Sequence, residues 1–170
     1  MIHHTAPDYF LMYPLAHVEW RERKLTQHIT AVSTFRHVGK HSTMLERIGE
    51  IAETFQPFEV TFGPQEIFGD TTQGEEETLA QPVVDGREEL IRLHKALLSG
   101  LVEVGCTLKN PTWSGDSYNP HCVTSEIIPE GESVGIWTIM VMSKFPKDKD
   151  SDSPSKKQII EAFRLGKKLG

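Results

Sequence analysis

Seven apolar residues, Leu90, Ile91, Leu93, Leu97, Leu98, Leu101 and Val104, recur mainly at three- and four-residue spacing along one stretch of the chain. That spacing gathers them on one stripe of an α-helix, because side chains three or four apart share a helical face. Asp85 or the next residue stands where an N-cap is needed, and Gly105 stands where such a helix usually stops. A long helix with one apolar side must lie on something flat and apolar. The remaining sequence supplies mostly strand signals, so an α+β fold is expected.

The first strand signal is Tyr9 to Tyr13, stopped by Pro14. In Gln27 to Phe35 the residues alternate, which puts His28 and Thr30 on one face and Ile29 and Ala31 on the other. Thr43 and Glu46 have the spacing of a capping box and predict a helix over 43–55, ended by Pro57. Phe58, Val60 and Phe62 then alternate as a half-buried strand. Segments 65–68 and 78–84 flank the polar stretch 69–77, which reads as a hairpin tip.

Residues 133–143 are β-branched and aromatic enough for one long strand with Trp137 in the core. Lys147 to Pro154 carries no apolar residue and reads as a linker. Ser155 and Gln158 again have capping-box spacing, predicting a last helix through Ile159, Ile160, Phe163 and Leu169. Residues 1–146 are therefore expected to form one domain, with 147–170 a polar linker and C-terminal helix. The order strand, helix, strand occurs twice, each time near a histidine. It predicts a pseudo-symmetric domain of antiparallel strands with helices outside.

Composition narrows the function. A formal charge of −6 disfavours coating long duplex nucleic acid, which relies on many phosphate contacts, but leaves room for a small anionic ligand. The two cysteines, Cys106 and Cys122, make neither a disulfide framework nor a thiolate metal site. No apolar run reaches the roughly 18 residues of a membrane span, and the start lacks a signal-peptide pattern. A soluble cytoplasmic protein with no membrane partner is expected; its oligomeric state is left open.

Of eight histidines, His28 and His121 combine strand settings with nearby hydroxyls. Imidazole titrates near neutral pH, so two on separate strands can flank one phosphate and act as acid and base. A threonine two positions along the same face can donate to a non-bridging oxygen. Such a scheme needs no cofactor and no metal. Two unrelated strand histidines satisfy the same pattern.

The ordered series His28-Ile29-Thr30, the capped helix, Pro57 to Gly63, Phe68-Gly69, Glu89 to His94 and Tyr118-Asn119-Pro120-His121 resembles the 2H phosphoesterase superfamily, the 2′-5′ RNA ligase and cyclic phosphodiesterase proteins. The resemblance runs from about Tyr9 to Pro146. It implies a bilobal α+β domain with antiparallel sheets lining a central groove, and metal-independent cleavage of phosphodiesters involving a ribose 2′ oxygen. His28, Thr30 and His121 match the family's catalytic positions. The second motif departs from His-x-Thr/Ser, because His121-Cys122-Val123-Thr124 places the hydroxyl one residue late. Either a bulge re-aims Thr124, or Ser125 substitutes, or the second hydroxyl is missing. A helix usual before the first motif is also shortened, since only residues 14–26 are available for it.

Trp113 and Tyr118 are candidates for stacking on a base, and Arg36 for pairing with phosphate. The expected ligand is a small nucleotide or oligonucleotide phosphodiester, with 2′,3′-cyclic or 2′-5′ linkages, cyclic oligonucleotide signals included. Viral or mobile-element destruction of such signals is one variant. A non-catalytic nucleotide or RNA-end binding module and RNA ligation in the reverse direction are the rivals.

Overall fold

The long apolar stripe folds as expected. In the computed structural model, which describes residues 7–15, 27–69, 77–123, 126–145 and 157–166, helix α2 spans Arg87–Glu103 and buries Leu90, Leu93, His94, Leu97 and Leu101. Each buried leucine contributes about 1.5–3 kcal/mol relative to exposure. Gly86 is the N-cap, with φ of 82°. A Cβ at Gly86 would lie 2.6 Å from the Glu59 carbonyl, so both backbone angle and space require glycine. Asp85 instead accepts a hydrogen bond from the Thr61 hydroxyl at 2.8 Å. Gly105 follows the helix at φ of 91°, as the stop signal predicts.

Helix α1 spans His41–Thr54 and packs on α2 through Ile51, which faces Gly100. Its start corrects the sequence expectation. Lys40 is the N-cap with no side-chain cap bond, and Thr43 lies inside the helix. The start is fixed by tertiary contact instead: the Tyr9 hydroxyl and His41 Nδ1 are 3.1 Å apart, and their rings touch.

The strands are β1 (Asp8–Pro14), β2 (His28–His37), β3 (Phe58–Val60), β4 (Glu66–Phe68), β5 (Thr78–Pro82), β6 (Cys106–Leu108), β7 (His121–Val123), β8 (Val134–Ile136), β9 (Thr138–Lys144) and β10 (Lys157–Arg164). The main sheet has the order β10-β9-β1-β2-β7-β5-β4, with β6 also paired to β2, and β3 and β8 form a separate pair. The pairings are antiparallel. Hairpin β4–β5 forms as expected; its tip lies outside the described residues, as do residues 16–26 and the expected linker.

Alternation gives the sheet two different faces. Leu11, Tyr13, Ile29, Ala31, Val32, Phe35, Ile139 and Val141 join the core residues of both helices. Phe10, Met12, Met140 and Met142 make a second buried cluster with Ile159. The helices thus cover one face, and the intervening residues of β1 and β9 belong to the other.

Two further expectations are corrected. The single strand over 133–143 breaks at Trp137, so β8 pairs with β3 while β9 enters the main sheet. Gly135 permits the break because the Trp137 indole occupies the space a side chain would need. Trp137 is half exposed rather than core. The expected C-terminal helix is strand β10, paired along β9. The ladder of β9 needed a partner, and a register shift between Ile159 and Glu161 lets Ile159 pack on the methionine cluster while Ile160 and Phe163 meet the main core. Residues 157–166 are thus part of the domain fold.

Candidate active site

Strand β2 presents His28 and Thr30 on the face away from the helices. Its register with β1 sets this: Thr30 lies opposite Met12 and His28 opposite Pro14, while Ile29 lies opposite the core residue Tyr13. Across the other edge of β2, Ile29 pairs with Cys122 of β7, and both are fully buried. Continuing that antiparallel register by one residue puts Thr30 opposite His121 and leaves His28 on the diagonal. Side chains at such positions share a face, with diagonal neighbours about 7–8 Å apart. Two imidazoles and a hydroxyl therefore share one face of the sheet across the β2–β7 junction.

His121 is held from several sides. Its Nδ1 lies 2.7 Å from the Asn119 carbonyl, so Nδ1–H donates and Nε2 is left as the nitrogen that can exchange protons. The Phe68 ring stacks on its imidazole, centroids 4.3 Å apart and 21° from parallel. In a flat sheet two strand spacings, about 9–10 Å, would separate β4 from β7. The stack therefore requires hairpin β4–β5 to curl over this face and wall the site. Cys122, between His121 and Val123, points into the core, and burial pushes its thiol up to about 11 against a smaller lowering by the His28 backbone amide. It stays a thiol at neutral pH.

The segment before β7 is built from two short 3-10 turns, Pro111–Trp113 and Gly115–Ser117. His94 of α2 is buried beneath it, with Nδ1 2.7 Å from the Ala31 carbonyl and Nε2 accepting from the Gly115 amide at 2.8 Å. Both ring nitrogens are satisfied only in the neutral form. Burial lowers its pKa, against the Ala31 bond, which raises it; Lys95 adds to the lowering. Tyr118 stacks on His94 and donates to the Thr30 carbonyl at 2.7 Å.

These contacts correct two assignments. Tyr118 is buried and engaged on both its ring and its hydroxyl, so it is a strut between β2 and α2 rather than a surface for stacking a base. Burial raises its phenol, opposed by Arg87. Arg36 lies eight residues along β2 from His28, about 26 Å away in an extended strand. It pairs there with Asp8, which Lys109 also meets at 2.6 Å. Trp113 is half exposed beside β2, where the Ser114 and Ser33 hydroxyls are 3.5 Å apart. Thr124 and Ser125 lie outside the described residues.

Sequence reasoning gave no role to Phe68, His94, Asn119 or Arg87. The first three stand in the quoted motif series, but their contacts come from strands and helices distant in the chain. Among the described residues, no group of three or more His, Cys, Asp or Glu side chains is placed to hold a metal ion, and no helix is long and apolar enough to cross a membrane.

The sequence profile described as the 2′-5′ RNA ligase superfamily matches residues 21–123. No curated protein sequence matches the chain. Among solved structures, TT0787 of Thermus thermophilus is similar with a TM-score of 0.63 at 13% identity, covering 94% of this chain and 98% of that one. E. coli LigT complexed with 3′-AMP is similar at 0.58 and 13% identity, covering 95% and 100%. A crystal structure described as a phosphoesterase gives 0.58 at 13% identity, covering 95% and 99%. These likenesses establish a shared fold.

Proposed function

The chain belongs to the 2′-5′ RNA ligase superfamily, and we propose that it is a phosphodiesterase that hydrolyses small 2′,3′-cyclic or 2′-5′-linked phosphodiesters with His28 and His121 as the acid and base pair. The observation that carries this reading is the β2–β7 register, which puts both histidines and Thr30 on one face. One imidazole takes the proton of the attacking water as its oxygen bonds to phosphorus. The other gives a proton to the ribose oxygen as the phosphorus–oxygen bond breaks. Which histidine serves which role depends on the direction of reaction. The Thr30 hydroxyl donates to a non-bridging oxygen, where charge grows in the transition state. These steps use only groups of the protein and water.

The substrate class is drawn from chemistry and from the relatives. LigT has been crystallised with 3′-AMP, ATP and NADP+, which supports a small nucleotide ligand here. The half-exposed Trp113 supports stacking on its base, a contact worth about 1–3 kcal/mol. Thr124 or Ser125 is proposed as the second hydroxyl. Ligation is the same chemistry reversed, and dilute water favours hydrolysis.

The test is incubation of the purified protein with 2′,3′-cyclic nucleotides and with 2′-5′-linked and cyclic dinucleotides in the presence of a chelator. Turnover is expected, falling by about 10²–10⁴ in His28→Ala and in His121→Ala. Failure to turn over any of these, or full activity in either variant, overturns the proposal. Nucleotide binding without turnover would instead favour the non-catalytic binding module.

A further inference from the structure

We infer that Arg87, the first residue of α2, is a positioning residue for His121 that acts through Asn119; the inference rests on reading His121 as an acid–base group. Asn119 does two things at once. Its backbone carbonyl accepts the His121 Nδ1–H at 2.7 Å, and its side-chain Oδ1 accepts from Arg87 Nη1 at 2.7 Å. The carbonyl direction depends on the ψ angle of Asn119, which Pro120 already restricts to extended values. Arg87 anchors the side chain of the same residue, and the bond is strengthened by the guanidinium charge.

Both ends of this clamp are rigid. Arg87 follows Gly86, which is pressed against Glu59 and Val60 of β3. One peptide further on, the Pro120 carbonyl accepts from the Val83 amide at 3.0 Å. Asn119 is therefore held through its side chain from α2, and the residue after it from beside β5. With Nδ1 held as the donor, the neutral ring keeps its lone pair on Nε2. Without Arg87 the Asn119 side chain is released and only Pro120 restricts the carbonyl, whose direction then varies within the extended range, so that His121 populates both tautomers and more than one ring orientation.

The test measures the nitrogen chemical shifts of His121 by NMR together with kcat and KM on whichever phosphodiester the wild-type protein hydrolyses. Wild type is expected to show the Nδ1-protonated tautomer. Arg87→Met should show a mixture, with kcat down about 10- to 100-fold and KM within about twofold, as misorientation near the reacting atoms predicts. Asn119→Leu, which removes the same acceptor, should lose a similar amount, and the double variant should lose little more. Added guanidinium should restore part of kcat in Arg87→Ala. An unchanged tautomer and unchanged kcat in Arg87→Met, or a fully additive double variant, overturns the inference. An inactive wild-type protein refutes the hydrolase reading, while the NMR comparison still decides whether Arg87 orients His121.

Discussion

The imidazole of His94 and the phenol of Tyr118 lie face to face, with ring centres 3.9 Å apart and planes within 9° of parallel. From this stack two hydrogen bonds run to consecutive carbonyls of β2, those of Thr30 and Ala31. Helix α2, the segment before β7 and the strand carrying His28 are thus fastened at one point. The placement of His121 relative to Thr30 depends on that fastening.

His94 makes folding sensitive to acid. Its pKa is lowered in the folded protein, so the unfolded chain takes up the proton first. The contribution is fully present above about pH 6.5, the ordinary histidine value, and is lost as pH falls through the lowered folded value. Protonation would set a second N–H against the Gly115 amide. Unfolding free energies of wild type and His94→Gln, measured between pH 5 and 8, should differ most at neutral pH, by about 1–3 kcal/mol, and converge in acid. Parallel curves would contradict this.

Tyr118→Phe should leave the Thr30 carbonyl without its donor and cost about 1–3 kcal/mol of stability. Its KM for nucleotide substrates should stay near wild type. A large rise in KM with unchanged stability would restore Tyr118 as a substrate contact.

Phe68→Ala should lower kcat by about 2- to 12-fold, the rate equivalent of a 0.5–1.5 kcal/mol aromatic stack on His121. Phe68→Tyr keeps the ring and should retain most of the activity. Steady-state kinetics on a cyclic nucleotide decide it.

Thr30→Val keeps the β-branched shape and removes the hydroxyl opposite His121. Turnover should fall by about 10²–10³, as for loss of one donor to a developing oxyanion, and Thr30→Ser should recover much of it. Equal activity in the two variants would exclude the proposed role.

Phe163 tests the C-terminal strand. It is buried against the main core, so Phe163→Ala should destabilise by about 3–5 kcal/mol. Chemical denaturation would show it as a lower midpoint, whereas a residue on a detached helix would change little.

What the sequence revealed was local. The stripe from Leu90 to Val104, the alternation around Ile29 and the hairpin 65–84 each declare themselves within a few residues, because periodicity and turn residues act over short range. The shared face of His28 and Thr30 was readable for the same reason. What escaped depends on distant contacts. Ile159, Ile160 and Phe163 fit a helical stripe equally well until β9 offers an edge to pair with. The start of α1 is decided by Tyr9, thirty-two residues before His41, and Gly135 reveals a break only once Trp137 lies over it. Tyr118 looked like a surface aromatic because nothing nearby in sequence shows that His94 will cover it.

The junction between β2 and β7 joins two groups of strands, β10-β9-β1-β2 and β7-β5-β4. Among the described residues they are paired there through Ile29 and Cys122, with Gln27 also donating to the Glu126 carbonyl at 2.6 Å. The proposed reacting groups straddle this seam, His28 and Thr30 on one bank and His121 on the other. The gap between the proposed acid and base is therefore not a property of either bank. It works as a caliper whose setting is the angle between the two groups of strands, so a substitution that opens the seam by an ångström changes the chemistry without touching a histidine.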